Sequence, residues 1–513
     1  TLNLILSEES FSKCFEELGC IETNSRWYDS KLRPVNLPPV DRHIIKTDFL
    51  LIKLNKSHSD NLLYNNMMAK YNSIVSAGYN NDSDIIILIH DFTANGYTGW
   101  VKHLAKVVLD KTPHKNIISV DWQRGAEPPY DQAISNARVV ALEIILLLKE
   151  LKEKADVDFS QVHVIGHGVG AHIAGYVGTT YNSIKKITGL DPSGPRFEGL
   201  PDLVKLNPTD AKYVEVLHTD AYDSRSQGAR EAMGHSDFYV NNGLQQPDCP
   251  MNTTFPELIS IERNSLNGGQ ISPGCNHKRA FKYFIEAVTG QDCVFLGIKC
   301  DSYEDFNDGK CTSCANSNGT CRTFGFTTYK NAVAKSSFFV NTAGHPPYCL
   351  YVYRVTVSLS PGSDTYFGYF DFILIDDRTH ASQANLADAN FVDREFHGGS
   401  KNTYVYYVQP PRLSKLKEAK VRWNEKKKIY CFIYCKQVIN VDWVSFKFLG
   451  TGKNDEREEE KLCPMGDKTE VENGSYRTFV RCGSGNDTLS SLPYTTTTSR
   501  TSSSSQSSTN MTG

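Results

Sequence analysis

The sequence predicts an α/β domain followed by an all-β domain, and three observations carry that expectation. Short apolar runs at 84–89, 116–120 and 161–165 alternate with helical stretches, the pattern of a parallel sheet covered on both faces. From Tyr348 onward, β-rich runs separated by turn residues replace that alternation. Within the first part, the run 162–165 leads straight into Gly166-His167-Gly168-Val169-Gly170. Glycines at the outer positions let a strand turn sharply into a helix at close quarters.

The elements follow in order. The three apolar runs are short and lack polar alternation, so they are expected to be buried strands. Residues 133–154 carry apolar side chains at helical spacing, with charges gathered at the C-terminal end. The α/β pattern ends near Gly344. Strands are then expected at 351–357, 366–375, 403–408, 430–434 and 443–448, enough for a β-sandwich. After Cys482 the chain turns Ser/Thr-rich with few apolar residues, too few to bury a core. The expected organisation is therefore 1–344, 345–482 and a tail at 483–513. The tail suits an O-glycosylated stalk or plain disorder. Its small-residue end, Met511-Thr512-Gly513, is compatible with a processed lipid-anchor site.

Composition sets outer bounds. A chain of 513 residues, 40% apolar and 22% charged, is too long for one core and suits two domains. The net charge of −3 gives no reason to expect nucleic acid. No apolar run approaches the roughly 18 residues of a bilayer span. The first residue is not Met, which fits removal of an N-terminal signal. The 14 cysteines lack the clustered histidines of zinc sites. Sequons stand at Asn55, Asn81, Asn252, Asn318, Asn473, Asn486 and Asn510. Together these favour disulfides, glycosylation and a secreted, extracellular protein.

The stretch at 162–172 resembles the nucleophile elbow of the pancreatic lipase family, whose G-x-S-x-G carries a catalytic serine in the middle. Here that position is Gly168, which has no side chain to attack a carbonyl. The resemblance continues through Gly189-Leu190-Asp191-Pro192-Ser193-Gly194-Pro195 and Gly274-Cys275-Asn276-His277. It runs from Cys14 to about Cys482 and implies an α/β-hydrolase domain followed by a C-terminal β-sandwich (PLAT-like) domain. It makes Asp191 the acid and His277 the base of a triad that lacks its nucleophile. It places the oxyanion-hole N–H groups at Phe92 and Val169. The family has glycine where this chain has Asp91, and a carboxylate there would repel a developing oxyanion.

The same resemblance implies a structural calcium site (Ca2+) with oxygen ligands from Asp202, the Lys205 carbonyl, Asn207 and Asp210. Asn207 replaces a family aspartate, which removes one charge. It implies the disulfides Cys14–Cys20, Cys249–Cys275, Cys300–Cys311, Cys314–Cys321 and Cys463–Cys482. Cys293, Cys349, Cys431 and Cys435 are left over, and three pairings stay open. The Cys249–Cys275 loop stands where the family carries its lid. Within it Phe255, Leu258 and Ile259 have i, i+3, i+4 spacing. A basic stretch of Lys415, Lys417, Lys420, Arg422, Lys426, Lys427 and Lys428 lies where lipoprotein lipases contact heparin. The acidic run 455–460 follows it closely.

These features are expected to make a secreted pseudoenzyme that binds, carries or recognises lipid or a fatty acyl ligand. Its C-terminal domain is the candidate for contact with a lipid surface, heparan sulfate or a protein partner. Two alternatives stand beside this. One is an active triacylglycerol lipase or phospholipase, which requires that Gly168 be engineered or that His277 activate a water. The other is an extracellular adhesion module.

Overall fold

A computed structural model describes residues 10–55, 62–222, 226–250, 274–290, 292–312, 314, 319–382, 392–409, 411–426, 438–450 and 458–483. A hairpin of β1 (Phe11–Phe15) and β2 (Gly19–Thr23), bridged by Cys14–Cys20, precedes the main sheet. That sheet is built, in chain order, from β3 (Asp48–Leu54), β4 (Leu62–Met67), β5 (Ile85–Ile89), β6 (Asn116–Asp121), β7 (Val162–His167) and β8 (Lys186–Leu190). It continues with β9 (Val214–His218), β10 (Ser236–Val240), β11 (Leu296–Lys299), β12 (Cys321–Thr323) and β13 (Ser336–Val340). Its spatial order is β12-β11-β13-β10-β9-β8-β7-β5-β6-β3-β4. The strands from β6 through β5, β7, β8, β9 and β10 to β13 pair in parallel, with antiparallel strands added at both edges.

The central strands β5, β7, β8 and β9 are buried at every position. This explains their unbroken apolar runs, since helices cover both faces. The helix Tyr130–Ala155 lays Ala133, Ala137, Val140, Ile144, Leu147 and Leu151 into the core at helical spacing. Lys152 and Lys154 sit in its last turn, where they suit the helix dipole. This helix is longer at both ends than the span 133–154 read from the sequence. The helix Val169–Thr180 packs against it directly after the elbow. Among the described residues, no helix is long and apolar enough to cross a membrane.

Among the described residues, the strands of the C-terminal region pair antiparallel. Its strands are β14 (Tyr351–Leu359), β15 (Thr365–Asp376), β16 (Arg394–His397), β17 (Lys401–Val408), β18 (Leu416–Glu425), β19 (Val438–Phe448), β20 (Glu460–Pro464), β21 (Glu470–Glu472) and β22 (Tyr476–Arg481). They run in the order β16-β15-β18-β22-β20-β19-β14-β17, with β21 on β19. Distant members of that order meet face to face. Phe372 of β15 packs edge-on against Tyr406 of β17 and Phe446 of β19, at ring separations of 5.1 and 5.2 Å. The sheet thus folds over itself as a β-sandwich with Phe370, Phe372, Tyr406, Trp423 and Phe446 inside.

The basic stretch near 415–428 largely forms β18. Ala419, Val421 and Trp423 point into the core while Lys420 and Arg422 alternate on the other face. Arg422 is paired with Asp371 at 2.5 Å and Lys426 with Asp393 at 3.3 Å. The expected strand at 430–434 lies outside the described residues, as do Lys427 and Lys428. Cys293 is bonded to Cys349, which settles the partner of two of the leftover cysteines. Cys431 and Cys435 fall outside the described residues. The remaining bridges among the described residues are Cys249–Cys275, Cys300–Cys311, Cys314–Cys321 and Cys463–Cys482.

Candidate functional site

The parallel strands end at one edge, and the chemistry-bearing loops gather there, as open α/β sheets dictate. Asp91 and Phe92 follow β5, Gly168 follows β7, Asp191 follows β8, and His277 lies in the first turn of the helix Cys275–Thr289.

The elbow keeps its backbone. Gly168 sits at φ 55°, ψ −118°, the left-handed conformation that a catalytic serine would have to tolerate. A Cβ on Gly166 would lie 2.2 Å from the Gly170 carbonyl oxygen, and one on Gly170 would lie 2.4 Å from that of Ile89. The flanking glycines are therefore required by the close approach of strand and helix.

Asp91 fills the place where the serine side chain would stand. A Cβ built on Gly168 would fall 2.1 Å from Asp91 Oδ1 and 2.4 Å from Oδ2. Oδ1 accepts the Val169 N–H at 2.7 Å. Oδ2 lies 3.0 Å from His277 Nε2. The other ring nitrogen, Nδ1, lies 2.6 Å from Asp191 Oδ2. Asp191 is fully buried and its Oδ1 also accepts the N–H groups of Thr219 and Asp220 at 2.7 and 3.1 Å. The result is a carboxylate–imidazole–carboxylate row drawn from three separate segments.

This row fixes the charge on His277. Burial opposes that charge, but hydrogen bonds to Asp191 and then Asp91, with the fields of both, push the imidazole up to about 10. Burial likewise opposes ionisation of Asp91, yet its bond to His277 and the charge of that ring hold it down to about 2. At neutral pH the ring is a buried imidazolium with both N–H groups donated. His167 behaves in the opposite way. Burial, and secondly the neighbouring His277 cation, lower it to about 4, so it stays neutral. Its ring lies 4.2 Å from that of His277. Burial, then the charge of Asp191, raises Asp220 to about 6.

Two residues that the sequence reading passed over aim Asp91 inward. The Trp122 N–H donates to His90 Nε2 at 3.0 Å, so His90 Nδ1 carries the proton and donates to the Asp91 carbonyl at 2.8 Å. His90 is fully buried and its ring stacks on Trp122. The histidine directly before Asp91 was the available signal.

The site lines a cavity of about 1340 Å³, larger than most small-ligand pockets. Phe92, Trp100, Tyr130, Phe281 and Ile285 supply apolar wall. The Phe92 ring meets Tyr130 edge-on at 5.1 Å, and Trp100 stacks on Phe281 at 5.8 Å. Cys249 and Cys275 anchor the two ends of the lid-position loop, but Phe255, Leu258 and Ile259 lie outside the described residues.

The loop expected to hold calcium closes on itself. Asn207 caps a short 3-10 turn, its Oδ1 accepting the Thr209 N–H at 2.9 Å. Its side-chain N–H group donates to Asp210 Oδ1 at 3.0 Å and to the Asp202 carbonyl at 3.3 Å. Asp210 Oδ2 accepts the Asn207 backbone N–H at 2.9 Å. The Lys205 ammonium pairs with Glu231 at 2.7 Å. An amide donor thus faces the oxygens that a cation would need, so these residues do not fit a calcium ion, which takes six to eight oxygen ligands. Of the sequons, Asn81 and Asn473 are exposed and Asn55 is half-buried, while Asn252, Asn318, Asn486 and Asn510 lie outside the described residues.

Residues 11–348 match the family model described as Lipase. Pancreatic triacylglycerol lipase from Cavia porcellus is 34% identical over 68% of this chain and 74% of its own length. The Sus scrofa enzyme of the same name is 34% identical over 68% and 77%. Inactive pancreatic lipase-related protein 1 of Homo sapiens is 31% identical over 70% and 77%. By this model match and these identities, the chain belongs to the pancreatic lipase family.

Proposed function

We propose that this protein is a secreted, non-catalytic member of its family that holds an apolar lipid chain without cleaving it. The observation that carries the reading is the Asp91 carboxylate. It stands in the serine's place, takes the Val169 N–H and ties up His277. Ester hydrolysis needs a nucleophile, a neutral base and free oxyanion donors. Losing the nucleophile alone costs about 10⁶-fold, and the residual of roughly 10³–10⁴-fold over water depends on an open oxyanion hole. With Val169 occupied and His277 charged, a water route is also disfavoured. The disulfide-bonded framework supports an oxidising, extracellular setting.

Binding remains favourable. Burying ten methylenes gives a gross term of about 8 kcal/mol, from which several kcal/mol of ordering must be subtracted. Micromolar affinity is the expectation. The test is turnover of short- and long-chain esters together with mass spectrometry of lipid retained on the purified protein. Intact lipid and only trace turnover are expected, and turnover within about tenfold of an ordinary lipase would overturn the reading. Heparan sulfate is the weaker reading for the second domain, because Arg422 and Lys426 already have acidic partners.

The same reading makes the protein independent of calcium. The Asn207 amide substitutes for the cation within its loop. Chelation with EGTA is expected to leave the melting temperature unchanged. A fall of more than about 4 °C, the scale of a 1 kcal/mol loss, would show that the loop does hold a metal.

A further inference from the structure

We infer that the cavity selects amphiphiles whose head group donates hydrogen bonds, such as long-chain alcohols or amines, and rejects free fatty acids. This rests on the lipid-binding reading above and adds the identity of the head. Asp91 lines the cavity, and three donors beside it are spent. Val169 N–H goes to Oδ1 and His277 Nε2–H to Oδ2. The Gly168 N–H goes to the Leu190 carbonyl at 3.1 Å. A ligand head arriving there meets carboxylate lone pairs and no free N–H from these groups. An ionised carboxylate has about four acceptor sites, so Asp91 can take further donors.

Charge points the same way as hydrogen bonding. Asp91, His277 and Asp191 together carry two negative charges and one positive. A fatty-acid carboxylate would add a like charge beside Asp91, and such juxtapositions are disfavoured. The apolar walls formed by Phe92, Trp100, Phe281 and Ile285 accept the chain of either kind of lipid, so the head decides. In an open oxyanion hole the preference would be reversed, with N–H groups receiving a carbonyl or carboxylate. Lys282 also lines the cavity and offers a carboxylate another seat. The test must therefore separate the two seats.

The experiment uses the full chain and the neutral dye Nile red, displaced at pH 8 by decanol, decylammonium or decanoate. Decanol and decylammonium are expected to displace the dye about 100-fold more effectively than decanoate. Asp91→Asn, which replaces one carboxylate oxygen by an N–H donor, should narrow the gap to within about tenfold. Lys282→Gln should leave the gap in place. Equal displacement by decanoate and decanol in the wild type overturns the inference, whether or not the Asp91 variant folds. So does an unchanged gap in a folded Asp91→Asn. Absence of Nile red binding by the wild type overturns the lipid-binding reading itself, and this inference with it.

Discussion

His277→Ala is expected to destabilise the α/β domain by about 3–5 kcal/mol, the cost of removing one partner from a buried ion pair. The substitution leaves Asp91 and Asp191 facing one another without the imidazolium that separates them. It also unties three segments, the ends of β5 and β8 and the start of the helix Cys275–Thr289. The loss has a pH signature. His277 is raised from 6.5 to about 10, so its contribution is whole below pH 6.5 and disappears as pH rises through 10. Asp91 is lowered from 3.8 to about 2, so its contribution is whole above 3.8 and is lost as pH falls through 2. The deficit of the variant is therefore largest between those limits and shrinks in alkali, while the cavity left by the missing ring costs the same throughout. Urea unfolding at pH 5.5 and pH 10 measures this. A deficit below about 1 kcal/mol at pH 5.5, within the range of an ordinary surface change, would mean that the row contributes nothing to the fold.

Much of this molecule is legible in its sequence. The buried strands β5, β6 and β7 were readable because parallel strands covered on both faces cannot carry polar alternation. Gly168 was readable as a lost nucleophile because the elbow's flanking glycines are sterically required and keep the frame recognisable. The strand β18 was missed because its lysines drew attention to charge. Its alternating Ala419, Val421 and Trp423 were the better signal. The Cys293–Cys349 bridge was open because pairing depends on tertiary proximity, which spacing does not encode. The largest gap concerned Asp91. The sequence showed a carboxylate where relatives have glycine but left its direction undecided between cleft and solvent. That direction is set by the Val169 N–H and the His277 ring, which reach it from distant parts of the chain, with the His90–Trp122 pair holding the adjoining backbone. The direction of the Asn207 amide was hidden for a related reason. Asn207 reads as a weaker oxygen ligand in a string of residues, but once folded its amide N–H is the group that faces Asp210.

Restoring the serine separates a site that lacks only its nucleophile from one closed by Asp91. Gly168→Ser alone has no room, because a Cβ at that position meets the Asp91 carboxylate at 2.1 Å. The new hydroxyl would also face an imidazolium that cannot take its proton. Asp91→Gly removes the obstruction, frees the Val169 N–H, and takes away one of the two carboxylates that keep His277 charged. One oxyanion donor is worth about 10²–10³-fold and a working base a further 10²-fold or more. The decisive measurement is kcat/KM on p-nitrophenyl butyrate for Gly168→Ser and for Gly168→Ser combined with Asp91→Gly. The double variant is expected to exceed the single one by at least about 10³-fold. Equal turnover by the two, whether high or absent, would contradict the claim that the Asp91 carboxylate is what closes this site.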